Sequence, residues 1–371
     1  MSSNLPVLLS DAAIEEFGRE LDAIGDEIKA ELGERDARYI RRLIKTQRSL
    51  ALGGRLVIFA SLAFTGVWPV FLTVIALGAL ALGTAKILEN MEIAHNVMHG
   101  QWDWMHDPEI QSATWEWDNV CPSDQWKHSH NVLHHTWTNV LGMDRDIGYG
   151  MLRVSEQQRW SPFYLLQPLS SLLMAALFQW FIALHDLELN RLLAGKKDRA
   201  TARRQWRAIR TKALRQVLKD YVVWPAMAGP FFFYVVAANL VANLLRNLWT
   251  YAIIFCGHFP AGVHVFTKAQ VQDETRAGWY VRQLLGSCNI TGGKLFHVLS
   301  GNLSHQIEHH LFPDMPSNRY PEIAPRVQAL CARYGLPYNV GSFGRQFGTT
   351  MAKIVRLSMP SPQPAVRVAR A

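Results

Sequence analysis

Residues 56–85 read LVIFASLAFTGVWPVFLTVIALGALALGTA, thirty positions without a charged side chain. A helix needs about 20 apolar residues to cross the hydrocarbon core of a bilayer, so this run is long for one span and short for two. Gly66 and Pro69 sit mid-run, where a tight hairpin would turn, and Arg55 at one end can snorkel to the interface. The stretch therefore reads as two spans, at roughly 50–67 and 69–90.

Two more runs follow. Residues 162–184 carry no charge, and 221–259 carry only Arg246 among the polar Asn239, Asn243 and Asn247. Between them, residues 190–219 hold eleven Lys/Arg against one acid, Asp198. A short basic loop of this kind stays cytoplasmic. If 162–184 crossed the membrane, that loop would be stranded outside. The run is therefore expected to lie in the interface or re-enter, with a true span as the competing reading, and 221–259 to form a second two-span hairpin. The expected fold is all-α: a multi-span membrane protein with two transmembrane hairpins, about four spans in all, and a cytoplasmic helical cap.

Residues 1–48 form an N-terminal region in which Ile14, Phe17, Leu21, Ile24 and Ile28 recur at helical steps, an amphipathic face for a membrane surface or for the rest of the protein. The membrane body is expected at 49–345, and 346–371 as a partly disordered tail. Both termini are expected in the cytoplasm. The 371 residues carry 38 basic and 30 acidic side chains. Cys121, Cys256, Cys288 and Cys331 lie far apart, which argues against a disulfide framework or an iron–sulfur cluster.

Eight of fourteen histidines fall in three short motifs near predicted membrane boundaries. HNVMH places His95 and His99 on one helix face, with Glu89 and Glu92 continuing it by steps of three as carboxylates that could orient imidazoles. HSHNVLHH gives His130, His134 and His135, while His128 points away. GNLSHQIEHHLFPDMP, residues 301–316, gives His305, His309 and His310. Clusters this tight point to metal. Eight nitrogens exceed one ion and suit two, although imidazole alone does not choose among iron, zinc, copper and nickel. His258 in FCGHFP, at a span's end, is a ninth candidate ligand, and His106, His185, His264 and His297 stand alone. Only one Glu-x-x-His occurs, Glu92–His95, where a soluble di-iron bundle needs two, and His-Glu-x-x-His is absent. A metal transporter would put its ligands at bilayer depth rather than at the ends of spans.

The boxes HNVMH, HNVLHH and HQIEHH, within ENMEIAHNVMHGQWDW, HHTWTNVLGMDRDIGYG, CGHFP and GNLSHQIEHHLFPDMP, resemble the membrane fatty-acid desaturases over about residues 35–345. They are most similar to the bacterial, actinobacterial stearoyl-CoA (acyl-CoA) delta-9 type. The resemblance implies O2-dependent desaturation of a long-chain fatty acyl-CoA at a non-haem centre of two Fe ions in a bacterial cytoplasmic membrane, and the topology set by the basic loop puts the three motifs on its cytoplasmic side. It carries His95, His99, His130, His134, His135, His309 and His310 over as iron ligands. Gln306 departs from it, since many relatives have histidine there and glutamine is typical of front-end (delta-6 or delta-5) desaturases. His305, one turn before His309, can offer a nitrogen instead. A related membrane hydroxylase or alkane monooxygenase would share the centre.

An apolar tunnel for the acyl chain is expected, with Trp102, Trp104 and Trp115 as candidate lining or, alternatively, as an interfacial belt. The basic face suits coenzyme A phosphates, anionic lipid, or an acidic electron donor. With no cytochrome b5 motif or dinucleotide fingerprint in the chain, electrons from NADPH are expected through a separate ferredoxin or a flavin/iron–sulfur reductase. Nucleic acid is not an expected partner.

Overall fold

The computed structural model describes residues 5–361. The described chain is mostly helical, with one small parallel sheet pairing Asn289–Thr291 with Val340–Ser342. Helix α1, Asp11–Ala30, starts at Ser10, whose hydroxyl accepts the Ala13 N–H at 3.2 Å. Its apolar stripe of Ile14, Phe17, Leu21, Ile24 and Ile28 is buried in one core with Tyr280, Leu311, Phe312 and Ile323. The amphipathic face thus meets protein around the third histidine motif, not a lipid surface.

Helices α2, Glu34–Ser61, and α3, Trp68–Leu88, pack as a helical hairpin, of which the second arm alone is long and apolar enough to cross a membrane. Pro69 lies in the first turn of α3, where its missing N–H leaves no helical bond unmade. The helices meet through glycine: a Cβ on Gly54 would fall 2.7 Å from the Leu82 nitrogen, and one on Gly78 2.8 Å from the Ile58 nitrogen. Such close backbone approach is how helices pack in lipid.

Two helical stretches of the described residues are long and apolar enough to cross a membrane, Trp68–Met98 and Gly229–His258. A third follows if Pro162–Ala176 and Phe178–Leu193, bent by 100° at their junction, count as one broken span. That bend agrees with a re-entrant or broken course for 162–184. The stretch 221–259 corrects the expected topology, because it gives one long helix, Phe232–His258, and not a hairpin of two spans. Pro225, Gly229 and Pro230 put the turn at 227–231, and 27 residues rise about 40 Å, enough for a single crossing. The preceding arm is the basic stretch itself, helix Arg199–Leu218, whose N-cap Asp198 accepts the Thr201 N–H at 2.7 Å.

A buried charge cluster ties the arms together. Lys86 reaches Asp220 at 2.9 Å and Asp118 at 3.5 Å, Arg55 lies 3.8 Å from Asp220, and Asn243 donates to Asp220 at 3.2 Å. Residues 346–358 belong to the last helix, Phe343–Ser358, and the part of the expected disordered tail from 362 onward lies outside the described residues.

Candidate metal centre

Beyond Leu88, α3 continues through a wide-turn segment, Glu89–Ala94, into the α-helical turn His95–Met98. A second wide-turn segment, His128–His134, follows Ser123–Lys127. Such segments shift the helical phase and often occur at functional sites. The third motif occupies the short helix Gln306–Leu311. Asn289 anchors it, accepting the Ile307 N–H at 2.9 Å and donating to Glu308 at 2.8 Å, while Tyr338 donates to the other Glu308 oxygen at 2.8 Å.

The three motifs meet. His95, His99, His130 and His309 form one group, His134, His258 and His310 a second, and His135 joins His309 and His310 between them, each group with its ligand nitrogens within 4.8 Å of one another. The His95 and His130 Nε2 atoms are 3.3 Å apart, as are those of His258 and His310. Nitrogens sharing an ion at about 2.1 Å are separated by about 3.0–3.4 Å, so these spacings fit metal ligation.

Hydrogen bonding gives His95, His134, His309 and His310 an anchored side and a free side. Asp144 accepts from His134 Nδ1 at 3.1 Å, and Gln283 Oε1 from His310 Nδ1 at 2.9 Å. Asn96 Oδ1 takes His95 Nδ1 at 3.0 Å, and the Tyr320 hydroxyl takes His309 Nδ1 at 3.2 Å. Asp146 lies 3.7 Å from His130 Nδ1. These partners fix the tautomer and leave Nε2 with a lone pair directed inward. The Nε2 atoms of His99 and His309 and both nitrogens of His135 are buried without a hydrogen-bond partner. Unpartnered buried acceptors are costly, and a metal ion would satisfy them together.

Charge states agree. Burial first, then neighbouring imidazoles, holds His99, His135, His309 and His310 well below the ordinary histidine range. Burial also lowers His130. At His134 burial pulls downward, but Asp144 and Asp146 outweigh it and the net shift is upward. Neutral imidazole is the ligating form.

The structure brings His258 into the site, with Gln306 Nε2 3.1 Å from its Nε2. It does not bring His305. Helix Gln306–Leu311 begins after that residue, whose own backbone (φ −103°, ψ 55°) is not helical, so the one-turn relation to His309 does not hold. His305 packs instead on His297, ring centroids 4.6 Å apart. Glu92 does not touch an imidazole either. The wide-turn segment offsets it from His95, and its carboxylate accepts from Tyr39 at 2.7 Å, Asn302 at 3.0 Å and Ser317 at 2.6 Å.

A cavity at the centre is lined by His95, His130, His134 and His258, by Asp144, Asp146 and Asp186, and on its apolar side by Trp126, Tyr149, Ile182, Ile254 and Phe259, and another runs from His95 to Arg246 past Met91, Trp117 and Phe178. Trp102, Trp104 and Trp115 are not on either wall, and Trp102 stacks on Tyr39 instead, at 6.2 Å. His185, solitary in sequence, faces the first cavity, 3.4 Å from Asp146.

Residues 66–342 match the family model described as fatty acid desaturase. The chain is 49% identical over 95% of its length to an NADPH-dependent stearoyl-CoA 9-desaturase of Mycobacterium tuberculosis, 82% of which is covered. It is 26% identical over 76% of its length to an sn-1 linoleoyl-lipid 6-desaturase of Synechocystis, covering 80% of that protein. To fatty acid desaturase 3 of Homo sapiens it is 32% identical over 37% of its length, covering 27% of that chain.

Proposed function

The chain belongs to the fatty acid desaturase family, and within it we propose an acyl-CoA 9-desaturase that takes stearoyl-CoA and places a cis double bond at carbon 9. Each turnover removes two hydrogens from adjacent methylenes, reduces O2 to two waters, and consumes two protons and two electrons. The electrons come from NADPH through a separate carrier. The observation that carries the reading is the convergence of seven imidazoles from three distant motifs, together with His258, into adjoining groups. Likeness to the mycobacterial 9-desaturase supports the substrate and bond position.

We assign His95, His99, His130, His134, His135, His258, His309 and His310 to two iron ions. Bound there, iron supplies the O2-derived oxidising power for cleaving an unactivated C–H bond, which no side chain can provide. The protein's part is placement. Asp144, Gln283, Asn96 and Tyr320 hold ring orientations, and burial keeps His99, His135, His309 and His310 neutral. Gln306, beside His258, occupies a place where a histidine would add a nitrogen, and we assign it to positioning His258.

The proposed setting is a bacterial cytoplasmic membrane with four crossings, all within the body 49–345, two of them shorter. One short crossing is the outer half of α2, with Leu52 and Leu56 exposed, and the other is the arm ending at Ala226, with Val217, Leu218, Val222 and Val223 exposed. His99 and His258 end antiparallel partners of the two Arg-rich stretches, so the centre shares its side with the basic residues, the cytoplasmic side by the positive-inside rule.

Expression in cells fed defined saturated fatty acids, with double-bond positions read by mass spectrometry, tests the function. The expected product is the 9-monounsaturated chain. A hydroxylated product, or a double bond at carbon 6 of a polyunsaturated lipid, would replace this reading by the hydroxylase or front-end alternative.

A further inference from the structure

An open groove of about 730 Å³ lies between the first half of α2 and helix Lys294–Leu299, away from the apolar cavities. Arg35, Arg38, Arg42 and Lys294 line it. Arg35 is paired with Glu322 at 2.7 Å and Arg38 lies 3.7 Å from Glu34, but Arg42 and Lys294 are exposed and have no carboxylate partner among the described residues. Arg42 precedes the exposed Leu52 by ten residues, which on a helix is about 15 Å, so the groove stands clear of the lipid.

Its floor distinguishes two uses of such a cationic surface. Tyr39 forms the wall and donates to Glu92 at 2.7 Å, and Glu92, fully buried, also accepts from Asn302 and Ser317. Glu92 lies three residues before His95 in the same continuous helical run, and Asn302 belongs to the segment that carries the third motif. The Tyr39 ring also stacks on Trp102, three residues beyond His99, with 24° between planes. This floor is closed and hydrogen-bonded, so a hydrocarbon chain has no passage through it to the centre. An electron needs contact between packed groups, not an opening.

We propose that this groove docks the acidic face of a one-electron carrier protein, and that Tyr39, Trp102 and Glu92 form the contact from that face to the His95–His99 turn. The proposal rests on the desaturase reading above and names the place where its two electrons enter, one at a time, from the carrier's reduced cofactor. Opposed surface charge mainly raises encounter rates and is screened by salt, which gives the interface a measurable signature.

The test uses the full chain in detergent, with and without metal, and an acidic [2Fe–2S] ferredoxin as probe. Binding of the oxidised ferredoxin is measured against ionic strength, and then KM for ferredoxin and for stearoyl-CoA with NADPH and a ferredoxin reductase. Arg42→Glu/Lys294→Glu is expected to weaken ferredoxin binding roughly tenfold or more at low salt, in metal-free and metal-loaded protein alike, and to remove most of the salt dependence. KM for ferredoxin should rise with it, and KM for stearoyl-CoA should stay. Arg42→Gln/Lys294→Gln should shift binding in the same direction by less, and it covers the case in which the double reversal does not fold. Arg204→Glu, on the other basic helix, should leave ferredoxin binding unchanged. Wild-type affinity in the double reversal, no ferredoxin binding by wild type at low salt, or a raised KM for stearoyl-CoA instead would overturn the proposal. Turnover driven by a small viologen reductant separates the two readings: no unsaturated product with viologen fails the desaturase assignment, whereas product with viologen and no effect at the groove fails only the docking site.

Discussion

The protein holds two largely buried polar clusters, and they are built on opposite rules. In the Lys86–Asp118–Asp220 cluster the charges oppose one another, with Asn243 supplying a further donor and Asn239 donating to the Asp220 backbone at 2.6 Å. In the histidine centre Nδ1 of His95, His134, His309 and His310 is anchored while Nε2 of His99, His135 and His309 is left unpaired. A cluster that neutralises itself joins helices. A cluster that spends hydrogen bonds on orientation and leaves lone pairs convergent is prepared for a ligand. Unpartnered nitrogens on His99, His135 and His309 in one small space have no structural purpose of their own.

That contrast can be broken by substitution. The largest effect is expected at the centre: His134→Ala or His309→Ala should remove at least one metal ion per chain and take double-bond formation below detection, read by metal analysis and product mass spectrometry. Asp220→Ala should act on the other cluster, leaving Lys86 buried without its nearest carboxylate. A loss of about 3–5 kcal/mol is expected in detergent unfolding, with metal per folded chain unchanged. Asp144→Asn keeps the shape but weakens the acceptor for His134 Nδ1. Metal affinity should fall about 10–100-fold, measured by competition with a chelator.

Acidification sharpens the same distinction. Burial depresses His99, His130, His135, His309 and His310 in the folded chain, so below about pH 6.5 the unfolded chain binds more protons than the folded one. Metal-stripped protein should therefore be most stable above that pH and lose stability progressively as pH falls below it, and bound metal should oppose the loss. A metal-stripped protein equally stable at pH 8 and pH 5 would contradict neutral, buried rings. The smallest effect is expected at His305, where substitution by alanine should leave metal stoichiometry intact, because that ring faces His297.

Much of the centre is legible in sequence because its ligands come in short motifs, and spacing within a motif survives folding. His258 is legible for another reason, an ionisable side chain at the end of an apolar run. What spacing cannot reveal is which groups meet the motifs from elsewhere. Gln283 reaches His310 from helix Arg276–Leu285, and Tyr320 reaches His309 from the start of Tyr320–Tyr334. Asp144 and Asp146 are nearer, within GMDRDIG just after the second box, and a paired-acid signal so close to a histidine motif is the clue that points to them. Two errors share one cause, a helical phase assumed across a break. His305 lies just outside its helix, and Glu92 lies inside a wide-turn segment. The topology differs where Pro and Gly cluster at 225–230, which turns the chain early, so that 221–259 holds one long helix and its antiparallel arm is the basic stretch that ends at Ala226.

The account stands most directly on the metal content of purified full-length protein, measured by mass spectrometry against quantitative amino-acid analysis. It predicts two irons per chain, falling when His258 is replaced by alanine. One zinc and no iron per chain, or two irons undiminished in a His134→Ala/His309→Ala double variant, would contradict it.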